Sequence, residues 1–340
     1  MNLKNEVNSM KTRFLMTMAV AAMALTACNN EETDTWAGEI RLSSGLEVQQ
    51  VTRSVSTGLQ GNQIASGVQV GFFINEDVTS GATAATTYTQ NLEYTANGSG
   101  GFSGTTVYYP QSGKGVNIYA YAPWADNLTL NGTYAFTIQA DQSKDADYLA
   151  SDLLWGQPMK ENPDKKGEYI TANPVARTKD AVSVSFKHLL SKIHVTLKTD
   201  QTSGLTANDF KKAKLEILSV QPGVSLTLAS GAISTATGTE GNVIAATYPE
   251  DKTPTLTAAA IVVPQTFSKG TKFMKVTLAT GGELYYTLPN ATSDTDLTLE
   301  SGKIYKYEIT VKLTGLTVTS SIEDWATIGS NPVTGTAVMD

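Results

Sequence analysis

The sequence predicts an all-β protein built as two β-sandwiches in series. Three observations lead there. Side chains alternate apolar and polar with a period of two, most cleanly in "KIYKYEITVKL" (303–313), where Tyr305, Tyr307, Ile309, Val311 and Leu313 share one face. Short runs rich in Val, Ile, Thr, Tyr and Phe are separated throughout by clusters of Gly, Asn, Ser and Pro, the punctuation of strands and turns. No long helical period occurs, although "TANDFKKAKLE" (206–216) has room for one turn. Sheets that are dry on one face and wet on the other must be covered in pairs, and the strand spacing suits two such pairs.

The chain opens differently. Lys11 and Arg13 precede "FLMTMAVAAMALTA" (14–27), an uncharged run too short to span a bilayer, which needs roughly 20 apolar residues. Positive residues, a short apolar core and a small-residue end are the parts of a secretory signal, and Met10 is the more natural start for it than Met1. Cys28, the single cysteine, follows directly. With no second thiol it closes no intramolecular disulfide, and no histidine cluster beside it makes a zinc site. Leu25-Thr26-Ala27-Cys28 is similar to a bacterial lipobox, which predicts cleavage before Cys28 and lipid attachment to it; a plain export signal with an incidental cysteine is the alternative. Acyl chains add roughly 0.8 kcal/mol per buried methylene, so the expected first partner is a lipid membrane, reached through Cys28.

Residues 28–38 read as a polar, acidic tether after the signal at 1–27. From Glu39 alternation begins: Ile40, Leu42, Ser44, Leu46 and Val48 fall on one face of a strand, followed by a small-residue loop that presents Arg53. Further strands are expected at 68–74, 105–110, 116–123 and 134–139, with the Gly-rich "TANGSGGFSG" (95–104) as a hairpin loop. Its glycines lack the spacing of a phosphate-binding turn. The Pro-rich, charged stretch after "DLLWG" (152–156) places a domain boundary near 180, dividing the fold into 39–180 and 181–340. The second half reads as strands at 182–186, 192–199, 211–220, 224–230, 258–267, 272–280 and 283–289, before the 303–313 strand and a continuation through Leu316, Val318, Ser320 and Ile322 to Trp325.

Composition excludes several functions. A net charge of −7 and a pI near 5.0 do not suit a nucleic-acid surface, which needs clustered Lys and Arg. His188 and His194, six apart, make a poor metal pair and read as structural strand histidines. Asp141, Asp145, Asp147 and Asp152 lack the spacing and glycine of a calcium loop and read as a solvated edge. No catalytic constellation stands out, so no enzyme activity and no cofactor are expected. A glycan-binding surface lipoprotein is a second reading, with Tyr108, Tyr109, Tyr119, Tyr121 and Trp124 as a stacking platform.

Four segments carry a resemblance. "FKHLLSKIHVTL" (186–197), "IVVPQTF" (261–267), "SGKIYKYEITVKLTGLTV" (301–318) and "IEDW" (322–325), together with the lipobox and "TR" at 52–53, resemble the fimbrillin family of pilus lipoproteins in order and spacing. The resemblance implies two transthyretin-like Greek-key β-sandwich domains after a lipoprotein signal peptide. It implies a lipidated outer-membrane precursor whose first strand, 39–53, is removed at Arg53 by an Arg-specific protease. A C-terminal segment of another pilin subunit then fills the vacated groove, and repetition builds an extracellular fimbria that supports adhesion. The donor is expected within 316–340, with Leu316, Val318 and Ile322 as candidate plugs, while a tip or accessory subunit would lack a competent donor. Bare strand edges are unfavourable, and unlike donor and acceptor surfaces generate an open, head-to-tail fibre.

Overall fold

The computed structural model describes residues 36–44, 63–77, 89–199, 204–249, 255–289, 295–312, 315–325 and 336–338. In chain order the early strands are β1 (Leu42–Ser44), β2 (Gln69–Glu76), β3 (Thr89–Ala96), β4 (Phe102–Gly104), β5 (Val116–Ala122), β6 (Thr133–Thr137), β7 (Leu154–Glu161), β8 (Tyr169–Thr171) and β9 (Val182–His188). The later ones are β10 (Ser191–Thr199), β11 (Lys214–Val220), β12 (Gly223–Thr227), β13 (Ala232–Ile233), β14 (Gly241–Ile244), β15 (Ala246–Pro249), β16 (Thr255–Val262), β17 (Thr266–Phe267), β18 (Lys272–Thr277) and β19 (Glu283–Thr287). β20 (Leu297–Thr298), β21 (Lys303–Lys312), β22 (Gly315–Asp324) and β23 (Thr336–Val338) complete the series. Among the described residues two short helices interrupt it, α1 (Asp145–Ala150) and α2 (Ala207–Lys211).

Most early strands build an eight-stranded sheet in the order β1-β9-β7-β5-β2-β3-β4, with β8 hung on β7. The later ones build a six-stranded sheet, β15-β16-β10-β21-β22-β23, and a four-stranded one, β14-β11-β18-β19. β6 crosses over to pair with β12, tying the two halves of the chain together. One buried cluster runs from Phe73 and Tyr121 through Trp155, Ile193 and Val195 to Tyr305, Ile309 and Trp325. Each fully buried Leu, Ile or Phe in such a core contributes roughly 1.5–3 kcal/mol. Residues from Gly38 onward form one compact unit.

Local pattern dictates much of this. β21 buries Tyr305, Tyr307, Ile309 and Val311 and turns Lys306, Glu308, Thr310 and Lys312 outward, as its alternation predicts. The Gly-rich stretch is a hairpin turn joining β3 to β4. α2 is the single turn allowed by "TANDFKKAKLE", begun by a reciprocal cap between Thr206 and Asp209.

Just past the boundary expected near residue 180, β9 alternates Val182, Val184 and Phe186 into the core of the eight-stranded sheet beside β7. Two expectations fail. The 105–110 run forms no regular strand and contributes only an isolated bridge, Glu39 to Tyr108. "DADYLA" (145–150) is a helix that buries Tyr148, and Asp152 just after it is 1% exposed rather than solvated.

On the face of β10 turned away from Ile193 and Val195, half-buried His194 sits near Lys192 and Lys306. Burial first, then those two positive charges, hold its pKa down to about 4, with Glu323 pulling the other way. The fold therefore keeps His194 neutral while the unfolded chain takes up a proton below about 6.5. Its contribution is present above that pH and is lost as pH falls toward 4. His194→Gln is expected to remove on the order of 2 kcal/mol of this acid sensitivity. Thermal melts from pH 7 to 4 check it, and an unchanged profile refutes it.

Candidate assembly site

The leading segment does more than add an edge strand. β1 runs parallel to β9, with Leu42 opposite Val182, and Val182 N–H donates to Arg41 O at 2.7 Å. On its other side the same segment meets the chain around β4. Ile40 N–H donates to Val107 O at 2.7 Å, Ser44 N–H to Gly100 O at 2.6 Å, and Tyr109 N–H to Gly38 O at 2.8 Å. Without β1, β9 and β4 would be the opposite margins of this sheet, so the segment 38–44, paired with β9 and bridged to the chain around β4, is the stave that closes the sheet on itself. A closed sheet has no bare edge at this place.

Side chains fit that role. Ile40 and Ser44 are buried, while Arg41 stands in solvent and pairs with Glu39 at 2.6 Å, a contact worth little by itself. Gly38 has φ +98°, and Arg177 Nη2 lies 2.5 Å from where a Cβ would project, so the turn into the stave requires glycine. Taking the stave out deprives Val182 N–H, Tyr109 N–H, Val107 C=O and Gly100 C=O of their partners. Each such group left dry and unpaired costs about 1–3 kcal/mol. The slot that held Ile40 would also open.

Cys28 and Arg53 lie outside the described residues. Leu316, Val318 and Ile322 all lie on β22, half-buried and packed against the core, opposite Val311, Ile309 and Tyr305 of β21. In this chain they are seated in their own sheet. The aromatic platform does not form: Tyr121 is fully buried against Phe73 and Tyr134, Tyr109 is 3% exposed, and Tyr119 packs near Trp155. Tyr108 remains exposed, away from any such stack. Among the described residues no group of three His, Cys, Asp or Glu is placed to hold a metal ion.

One cluster escaped the sequence. Asp152 Oδ1 lies 2.8 Å from His188 Nδ1 with both side chains fully buried, and the indole of Trp325 stacks on the imidazole, centroids 3.7 Å apart. The signal in the sequence was "IEDW", whose Trp directly follows the alternating run that ends at Ile322.

Comparison with known proteins fits this architecture. A family described as fimbrillin-like matches residues 52–325. A candidate fimbrium subunit of Bacteroides uniformis, Fim1C, is 25% identical over 339 residues, covering 96% of this chain and 100% of its own. Among solved structures, a candidate cell adhesion protein of Bacteroides uniformis superposes with a TM-score of 0.60 at 22% identity, over 85% of this chain and 99% of that one. One from Bacteroides ovatus does so with a TM-score of 0.57 at 19% identity, over 84% and 96%. These two share the fold. With the family match spanning most of its length, the chain belongs to the fimbrillin-like family.

Proposed function

We propose that the protein is a structural subunit of a cell-surface fimbria. It is exported as a lipoprotein held by Cys28, trimmed after Arg53 by an Arg-specific protease, and polymerised when a C-terminal segment of a second subunit replaces the lost stave. The observation that carries this reading is the position of residues 38–44. They bridge two margins of one sheet, so their loss creates both a row of unpaired backbone groups and an apolar slot. An added strand satisfies both at once, its main chain supplying affinity and its alternate side chains register. The family match and the fimbrium relative support it.

The test is direct. Purified precursor treated with an Arg-specific protease is expected to give SDS-resistant ladders and fibres visible by electron microscopy, and Arg53→Ala precursor to remain monomeric. A trimmed chain beginning at Ser54 that stays folded and solitary at high concentration refutes the reading.

A further inference from the structure

The end of β22 is pinned more firmly than a strand destined to leave would need. Trp325 is 7% exposed, and its backbone N–H donates to Gly302 O at 2.7 Å. Its indole lies flat on His188, planes 7° apart, and shields His188 Nε2, which has no hydrogen-bond partner. Lys192 Nζ stands 5.6 Å from the indole centroid and interacts with Asp152 and Glu323. A buried polar site made of Asp152, His188 and Lys192 is thus roofed by one side chain. The two residues before Trp325 cross to β21 as ion pairs, Asp324 with Lys303 and Glu323 with Lys306 at 2.6 Å.

Backbone pairing is as lopsided. β22 opposes β21 over ten residue pairs, whereas β23 opposes β22 over three, Ser321 to Glu323. With three paired residues to break against ten, β23 peels away more easily than β22 can be extracted. Extraction would also bare the row of Tyr305, Tyr307, Ile309 and Val311.

Resting on the assembly reading above, we propose that Trp325 is an anchor that keeps β22 in its own sheet, so that the segment given to a second copy of this chain lies wholly beyond residue 325. Leu316, Val318 and Ile322 then stay at home as core residues, and the roofed polar site marks the hinge.

Two experiments test this. In the uncut chain, Trp325→Ala is expected to speed hydrogen exchange of the β22 amides about ten-fold, with Trp325→Phe recovering most of the protection, because a flat ring still covers His188. Deleting 326–340 is expected to expose only amides of Ser321–Glu323 that face β23, leaving protection over 316–320 unchanged. Loss of protection over 316–320 on deletion but not in Trp325→Ala overturns the anchor whether or not fibres form. In the chain trimmed to Ser54, which lacks Cys28, Thr310→Cys with Thr317→Cys places thiols on directly opposed residues of β21 and β22. Oxidised and reduced forms are expected to polymerise equally. Assembly that appears only after reduction shows that β22 must leave, and sinks the anchor while keeping strand exchange. Failure of the cysteine-free trimmed chain to polymerise instead condemns the assembly reading.

Discussion

Asp152→Ala is expected to cost about 3–5 kcal/mol of folding stability, the largest effect of any single charge removed from this protein. Asp152 is 1% exposed and faces His188 across 2.8 Å. It also pulls upward on the pKa of Lys192, which burial has pushed down to about 8. Alanine would leave the His188 imidazole in the interior without its acidic partner and Lys192 with Glu323 alone. A sign follows from linkage. A lysine whose folded pKa is depressed penalises the fold while charged, and that penalty fades as pH rises through the folded value toward the unfolded one. Without Asp152 the Lys192 pKa drops further, so the deficit of the variant is expected to narrow as pH climbs through about 8. Chemical denaturation at pH 7 and pH 9 measures both. A loss below about 1 kcal/mol at pH 7 would show that the pair is incidental.

Gly71→Ala comes second, at about 3 kcal/mol or more. Gly71 on β2 lies opposite Tyr121 on β5, and a Cβ there would sit 2.1 Å from Tyr121 Cε1. The ring cannot swing aside cheaply. It is wholly buried against Phe73, and its hydroxyl donates to Asn91 Oδ1 at 2.5 Å. Either the ring leaves its hydrogen bond or β2 and β5 separate. A melting temperature within a degree or two of the parent would refute this account. Tyr121→Phe combined with Gly71→Ala is expected to recover little, since the collision is with the ring and not with the hydroxyl.

Legibility differed sharply between elements. β21 was plain because Tyr305, Lys306, Tyr307 and Glu308 alternate next to one another, and a strand with one covered face needs only near neighbours to declare itself. Asp152 was misread because "DQSKDADYLASD" has the composition of a wet edge; what dries it is His188, 36 residues on, and Trp325 at the far end of the fold. Tyr121 looked like half of a binding platform until β2 and the chain near Tyr134 covered it.

From the order of residues alone came the all-β class, the face that β21 buries, the hairpin turn at 95–104, and the family to which the motifs belong. These depend on spacing over a few residues, which backbone geometry converts directly into direction. Only the folded chain decided that residues 38–44 join two distant margins, that Leu316, Val318 and Ile322 sit in their own core, and that Trp325 roofs a buried acid and two bases. Those arrangements rest on contacts between segments far apart in sequence, where closing the sheet and drying the polar groups are settled by all the strands at once.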